Sequence, residues 1–255
     1  MKFDTQGWVL ERGHWGDLDG ILIAPRGVTP SALVTLCHGF GAPGTDLVSL
    51  TEEIVPALSD DLVPPAFFFP EGPIDLEDLF GVPGAYAWWP LNMAMLAELA
   101  ATDAFSELED QIPDGVDSAR EKLVGAILEC VASKTWDSVP HILGGFSQGS
   151  MLAIDTALRS DRLMTSGVIV WSGALICRSA WISAHQARST ILPVYQSHGR
   201  QDSILPIGAG RALHRFLTHL GWDVASEEFE GPHTITLEAI TGAARLVERV
   251  VRPVR

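Results

Sequence analysis

Ser147 is the residue of this sequence with the clearest chemical context. It is the centre of a G-x-S-x-G pentapeptide, residues 145–149, that joins the apolar stretch 141–146 to an amphipathic stretch. A tight turn between a strand and a helix projects such a serine from the edge of a sheet, where its hydroxyl can act as a nucleophile. The backbone comes so close in that turn that Gly145 and Gly149 have little room for side chains. The motif predicts a nucleophile elbow.

A serine hydroxyl needs a base to remove its proton, and the base needs an acid that fixes its tautomer. The acid and then the histidine are expected after the elbow in the chain. Asp202 lies in the loop SHGRQDSILP, and His233 lies in the loop EFEGPHTITLE after the last apolar stretch. The sequence therefore predicts His233 as the base and Asp202 as its orienting acid. The alternatives are a helix N-cap for Asp202 and an ordinary surface histidine for His233.

The loop HGFGAPG at 38–44 allows two interpretations. Its glycines spell G-x-G-x-x-G, the fingerprint of dinucleotide binding, but the acid expected about 20 residues later is not at the end of the next strand. The loop also fits an oxyanion hole, in which the backbone N–H groups of Phe40 and Gln148 bind the charge that develops on the substrate oxygen. We therefore predict an oxyanion loop and no cofactor.

Short apolar stretches alternate with amphipathic ones along the chain. Strands are predicted at 21–25, 32–37, 66–70, 141–146, 168–173, 191–199 and 224–229. Helices are predicted from Thr45 or Asp46 to about 58, and at 117–133, 148–159, 206–220 and 236–250. This alternation predicts an α/β fold with a mostly parallel central sheet and helices on both faces, forming one domain over residues 1–255.

The stretch 71–115 is irregular and has the length of a lid or a pocket-lining insertion. It contains Trp88, Trp89 and Met93, which are candidates for lining an acyl pocket. Core packing is the alternative for these side chains.

Composition narrows the classes of partner. Asp and Glu number 32 against 17 Lys and Arg, a formal net charge of -15, which disfavours nucleic acid and anionic membrane surfaces. The three cysteines are far apart, and the first twenty residues have no apolar stretch of the signal-peptide kind. We expect a cytoplasmic protein with no stable membrane insertion. No H-E-x-x-H motif or His/Cys cluster is present, so no metal site is expected.

Several segments together resemble the carboxylesterase/phospholipase family of α/β-hydrolases, which includes the acyl-protein thioesterases. The resemblance covers roughly residues 32–240 and is carried by VTLCHGFG at 34–41, GGFSQGSM at 144–151, SHGRQDSILP at 197–206 and FEGPHT at 229–234. It implies hydrolysis of acyl esters, thioesters or lysophospholipids without a cofactor. Because several members form homodimers, the resemblance also allows a homodimer here.

The sequence departs from this family in the region before its second long helix. The family usually has Trp, an aromatic residue and Asp there, whereas Trp88 and Trp89 are followed by Pro90 and Leu91. The segment 74–115 is also longer and more apolar than the resemblance implies.

The sequence as a whole favours a serine hydrolase that cleaves carboxylic esters or thioesters through an acyl-enzyme. Two alternatives remain at this point. One is a different acyl hydrolase on the same fold, a peptidase or a dienelactone-type enzyme, although the latter would have Cys in place of Ser147. The other is a non-catalytic binding protein that retains the fold.

Overall fold

A single eight-stranded sheet forms the centre of the molecule. The computed structural model describes residues 7–77, 81–102, 104–189 and 191–252. The strands are β1 (Trp8–Trp15), β2 (Leu18–Pro25), β3 (Leu33–Cys37), β4 (Ala66–Pro70), β5 (Ile74–Asp75), β6 (Tyr86–Ala87), β7 (His141–Phe146), β8 (Thr165–Trp171), β9 (Pro193–Gly199) and β10 (Asp223–Phe229). The order in the large sheet is β1-β2-β4-β3-β7-β8-β9-β10, and β5 and β6 pair separately.

Six neighbouring strands of the large sheet, from β4 to β10, run parallel to one another, while β2 is antiparallel to both of its neighbours, β1 and β4. The order reverses direction at β3, since the chain moves outward to β4 and then returns to β7. Such switch points open a crevice at the carboxyl ends of the strands. The loops after β3 and β7 therefore meet at one edge, which we call the catalytic rim.

Helices cover both faces of the sheet. They are α1 (Thr51–Ile54), α2 (Met93–Ala101), α3 (Val116–Lys134), α4 (Gln148–Arg159), α5 (Arg178–Arg188), α6 (Ile207–His219) and α7 (Leu237–Val251). Helices α3 to α6 pack on one face and contribute to one apolar cluster, and α1 and α7 contribute to the cluster on the other face. Side chains of β3 alternate between the clusters, with Leu33 in the first and Val34 in the second. The mostly parallel α/β fold expected from the sequence is confirmed.

The predicted helix from Thr45 or Asp46 to about residue 58 is wrong. The chain instead forms a 3₁₀ turn at Val48–Leu50, the one-turn helix α1 and a second 3₁₀ turn at Val55–Ala57. No side chain caps the first turn. Pro56 lacks an N–H and its ring blocks a longer α-helix at this point.

Strand β1 was not predicted. It contains Glu11, Arg12 and His14 and has no continuous apolar run, because it pairs only with β2 at the border of the sheet. Its side chains are mostly exposed or half-buried. An edge strand of this kind lacks the apolar signal that identifies buried strands.

The 71–115 segment has short elements of its own. Its first part forms the β5–β6 pair, and Tyr86 exchanges backbone hydrogen bonds with Gly41 (2.9 Å) and Ala42 (3.1 Å). Its second part contains α2 and a 3₁₀ turn at Phe105–Leu108. The first part is thus hydrogen-bonded to the 38–44 loop. The second part lies beside the loop that follows β8 at the catalytic rim.

Candidate active site

Ser147 occupies a strained turn between β7 and α4. Its backbone has φ 54° and ψ -118°, a conformation that side-chain-bearing residues rarely adopt. A Cβ atom placed on Gly145 would lie 2.4 Å from the carbonyl oxygen of Cys37, and one on Gly149 would lie 2.1 Å from the same oxygen. The Ser147 N–H donates to the Trp171 carbonyl at 2.9 Å. Both glycines are therefore needed for β3, β7 and the turn to approach one another.

Asp202 and His233 come together at the catalytic rim. The His233 Nδ1 lies 2.6 Å from the Asp202 Oδ2, so the ring donates its Nδ1 proton to the carboxylate. The other carboxylate oxygen accepts backbone N–H bonds from Ile204 (2.9 Å) and Leu205 (2.8 Å). Asp202 is not a helix N-cap, since Pro206 precedes α6. Its carboxylate is held by its own loop and is directed at the imidazole.

His198 gives Asp202 a second imidazole neighbour. Its Nε2 lies 2.7 Å from the Leu205 carbonyl oxygen and 3.4 Å from the Asp202 Oδ2. Burial by itself raises the pKa of Asp202, but hydrogen bonds from His198 and His233 outweigh it and hold the pKa well below its usual range. The carboxylate therefore stays ionised at any pH where His233 can act as a base.

The imidazole of His233 lies beside the residue that precedes the serine. Its ring centroid is 4.5 Å from that of Phe146, with an angle of 43° between the planes. The loop is fixed by a hydrogen bond of 3.0 Å from the Gln201 N–H to the Gly231 carbonyl. A Cβ atom on Gly199 would lie 2.4 Å from the Pro232 carbonyl oxygen. With Nδ1 bound to Asp202, Nε2 is the ring nitrogen that remains for a serine hydroxyl.

Two backbone N–H groups are available next to Ser147. Gln148 is the first residue of α4, so its N–H has no acceptor within the helix, and no acceptor is found for the Phe40 N–H among the described residues. Gly39, which precedes Phe40, lies close to the serine, because a Cβ atom on it would be 3.5 Å from the Ser147 Cβ. These two N–H groups are the candidate donors for an oxyanion at this site.

His38 holds the loop that carries Phe40. It is buried, its Nδ1 lies 2.8 Å from the Gly39 carbonyl oxygen, and its Nε2 accepts the Gly72 N–H at 2.9 Å. Both contacts require the neutral ring with its proton on Nδ1. Burial lowers the pKa of His38 from its ordinary 6.5 to about 4, only partly offset by the bond to Gly39. Sequence reasoning missed this role, although the HG pair beside the loop was the available signal.

The side chain of Gln148 ties the insertion to the elbow. Its Oε1 accepts the Trp88 N–H at 3.0 Å, and its Nε2 donates to the Trp89 carbonyl at 2.8 Å. The Trp88 indole N–H in turn donates to the His38 carbonyl at 2.9 Å. We call residues 38–41, 72, 86–89 and the Gln148 side chain the oxyanion wall.

The residues expected to line an acyl pocket have different surroundings. Trp88 and Trp89 are fully buried in the core, whereas Met93 is 43% exposed at the start of α2. The hydrogen bonds of Trp88 are with His38 of the oxyanion loop and with the Gln148 side chain. A substrate contact for any of the three stays a prediction.

Other reactive side chains show no competing site. Within the described ranges no three His, Cys, Asp or Glu side chains are placed to hold a metal ion. The cysteines at 37, 130 and 177 are unpaired and buried. Among the same residues, no helix has the length and apolarity needed to cross a bilayer.

The chain is similar to known hydrolases in sequence. The sequence matches the phospholipase/carboxylesterase family over residues 19–248. It is 27% identical over 208 residues to acyl-protein thioesterase 1 of Eremothecium gossypii, covering 78% of this chain and 77% of that one. It is 23% identical over 240 residues to acyl-protein thioesterase 1 of Kluyveromyces lactis, covering 92% and 99%.

Solved structures show the same fold. The crystal structure of esterase PE8 superimposes with a TM-score of 0.72 at 24% identity, covering 91% of this chain and 99% of that one. Acyl-protein thioesterase 2 of Zea mays gives a TM-score of 0.59 at 19% identity, covering 91% and 98%. At these identities the likeness concerns the arrangement of the chain.

Proposed function

Because this chain belongs to the phospholipase/carboxylesterase family of α/β-hydrolases, we propose that it hydrolyses carboxylic esters or thioesters through an acyl-enzyme on Ser147. His233 is the general base, Asp202 orients it, and the N–H groups of Phe40 and Gln148 form the oxyanion hole. The observation that carries the proposal is the 2.6 Å bond between His233 and Asp202 beside the strained serine turn.

The first half of the reaction forms the acyl-enzyme. The Ser147 Oγ attacks the substrate carbonyl carbon while its proton passes to the Nε2 of His233. The electron pair of the carbonyl moves to its oxygen, which the Phe40 and Gln148 N–H groups stabilise. When the pair returns, the bond to the alcohol or thiol breaks, and that leaving group takes the proton from His233.

The second half releases the acid. Water gives a proton to the Nε2 of His233 and its oxygen attacks the acyl carbon. The second tetrahedral intermediate collapses, the acid leaves, and the proton returns to the Ser147 Oγ. The ionised Asp202 stabilises the imidazolium that forms in each half. No step requires a metal or a cofactor.

The proposal also covers the cellular location and the oligomeric state of the enzyme. Three buried, unpaired cysteines suit a reducing compartment, which supports a cytoplasmic enzyme. The family resemblance supports a homodimer, and sedimentation equilibrium would measure the oligomeric state.

Ser147→Ala tests the proposal directly. We expect turnover of p-nitrophenyl acyl esters, and of acyl thioesters followed by thiol release, to fall by at least about 10³-fold because the nucleophile is lost. Ser133→Ala is the matched control and should leave turnover unchanged, since the Ser133 hydroxyl likewise donates to a carbonyl one turn earlier but lies on α3, outside the site. Unchanged turnover in the Ser147 variant would refute the proposal.

A further inference from the structure

A groove runs along α6 at the catalytic rim. Its inner part is a cavity of about 170 Å³. The cavity is bordered by residues of the 105–109 turn, the loop after β8 and the start of α6, namely Phe105, Ser106, Glu109, Ala174, Leu175, Pro206, Gly208, Ala209, Ala212 and Arg215. We call this cavity and its continuation the rim groove. Its inner lining is mainly apolar or small.

The rim groove begins close to the catalytic residues. Ala174 is three residues after Trp171, whose carbonyl accepts the Ser147 N–H. Pro206 is four residues after Asp202, which bonds His233. A chain advances at most about 3.6 Å per residue, so these points of the groove lie within about 14 Å of the triad supports. The groove thus begins at the same edge of the sheet as Ser147, within the reach of an acyl chain.

The outer end of the rim groove is cationic. A second cavity of about 420 Å³ shares Glu109, Ala212 and Arg215 with the first and adds Arg178 and His219. Arg178 is paired with Glu109 at 2.8 Å, which neutralises that carboxylate. In the described part of the chain no carboxylate lies within ion-pair distance of Arg215.

Arg215 is exposed, and among the described arginines without a carboxylate at ion-pair distance it is the one that lines the rim groove, since Arg12 and Arg245 do not border either cavity. Arg211, one turn earlier on the same helix, makes two bonds of 2.7 Å to Glu228. The nearby Asp110 is occupied by the N–H and hydroxyl of Ser179. The guanidinium of Arg215 is thus the charge in the rim groove that is available to a ligand, and its planar fork suits a carboxylate.

We propose that the rim groove binds the acyl chain of the substrate and that Arg215 binds a carboxylate at the far end of that chain. This rests on the proposed function and names its substrate class, half-esters or half-thioesters of dicarboxylic acids. The carbonyl sits at Ser147, the methylene chain lies on the apolar lining, and the terminal carboxylate meets Arg215. From Gly208 to Arg215 the helix advances about 10 Å, which is the part of the path that lies within the groove, and the distance from Ser147 to the groove adds to it.

The test compares two p-nitrophenyl esters of equal shape. One is the p-nitrophenyl half-ester of a straight-chain dicarboxylic acid, tested in a series from suberic to hexadecanedioic acid, and the other is the same compound with its free carboxylate replaced by a neutral carboxamide. We expect the native enzyme to have the higher kcat/KM on the half-ester. We expect the ratio of the two kcat/KM values to fall about threefold to tenfold in Arg215→Gln, mainly through KM, and to shrink with added salt.

Arg211→Gln is the control, because it removes a cation from the same helix outside the rim groove, and its ratio should equal that of the native enzyme. Loss of fold or of general activity lowers both rates together and leaves the ratio unchanged, so it is distinguishable from lost recognition. The inference is overturned if the native enzyme shows no preference for the carboxylate, or if Arg215→Gln keeps the native ratio. Ser147-dependent turnover of the carboxamide ester would leave the proposed function intact in either case.

Discussion

The two sides of Ser147 are built differently. On the oxyanion wall, His38 and Gln148 are buried, and each uses both of its side-chain polar atoms in hydrogen bonds to backbone groups. On the rim groove side, Arg215 is exposed and has no acidic partner among the described residues, and Gly208 has open space around it.

We interpret this contrast as a division of roles, in which the oxyanion wall serves the reaction and the rim groove serves the choice of substrate. In the proposed mechanism the oxyanion wall holds two N–H groups at a fixed distance from a reacting oxygen, and a shift of about 1 Å is enough to lower the rate strongly. The rim groove only has to accommodate a chain, so its side chains can vary without moving the reacting atoms. We expect substitutions on the wall to affect all substrates alike and substitutions in the groove to change the choice of substrate.

A pair of glycine substitutions gives the largest expected difference between the sides. Gly149→Ala places a Cβ atom against the Cys37 carbonyl at 2.1 Å, so we expect loss of folded, active protein. Gly208→Ala meets no atom within 4 Å and should leave thermal stability unchanged or raise it by about 0.5–1 kcal/mol. Thermal melts and ester turnover measure both. A well-folded, active Gly149 variant would show that the elbow is not tightly packed.

Asp202→Asn is the next largest change. The amide cannot stabilise the imidazolium and favours the wrong tautomer of His233, so we expect kcat to fall by about 10³–10⁴. Asp223→Asn, which removes a surface carboxylate paired with Arg249, should leave kcat unchanged. Because the pKa of Asp202 lies well below its usual range, the native rate should not fall through protonation of this carboxyl in mildly acidic buffer. A small effect of Asp202→Asn would assign the orienting role elsewhere.

His38→Asn should act on rate and on the pH dependence of stability together. Loss of the Gly72 and Gly39 contacts should lower kcat by about tenfold to a hundredfold. Because the pKa of His38 is lowered to about 4, the unfolded chain takes up a proton below pH 6.5 while the native protein does not. The free energy of unfolding of the native protein should therefore fall by up to about 3 kcal/mol between pH 6.5 and 4 because of this residue.

Urea denaturation at pH 7.5 and 4.5 measures that difference. The stability gap between the native protein and His38→Asn should narrow at the lower pH. An equal difference in stability at the two pH values would contradict a buried, neutral imidazole at His38.

Among the substitutions in the oxyanion wall, Gln148→Met should have the smallest effect on kcat. The backbone N–H remains, but the Trp88 N–H and the Trp89 carbonyl lose their partner. We expect kcat to fall severalfold for all acyl lengths with little change in KM. A change confined to long acyl chains would place Gln148 on the substrate side instead.

The sequence predicted the parts of this molecule that depend on local patterns. The apolar stretches 66–70 and 141–146 are strands at their predicted bounds, because buried strands leave continuous apolar runs. The elbow is similarly visible, because its backbone contacts allow only glycine at 145 and 149. The convergence of Asp202 and His233 was predictable from their positions after consecutive parallel strands.

What the sequence did not predict depends on contacts between distant segments. His38 fixes the oxyanion loop through contacts with Gly72 and Trp88, which belong to the 71–115 segment. The short elements of that segment have no periodic sequence pattern, so these contacts could not be predicted. Met93 begins helix α2, which lies in the 71–115 stretch for which the sequence predicts no helix. The unpaired state of Arg215 depends on which acids the fold places around it, and spacing along the chain does not give that information.

Covalent labelling tests the central claim most directly. A fluorophosphonate reacts only with a serine that an adjacent base has activated, so peptide mass spectrometry after labelling should find the adduct on Ser147. The account predicts one adduct per chain at that residue, strongly reduced in His233→Ala and absent in Ser147→Ala. An adduct at another serine, or labelling that persists in both variants, would contradict it.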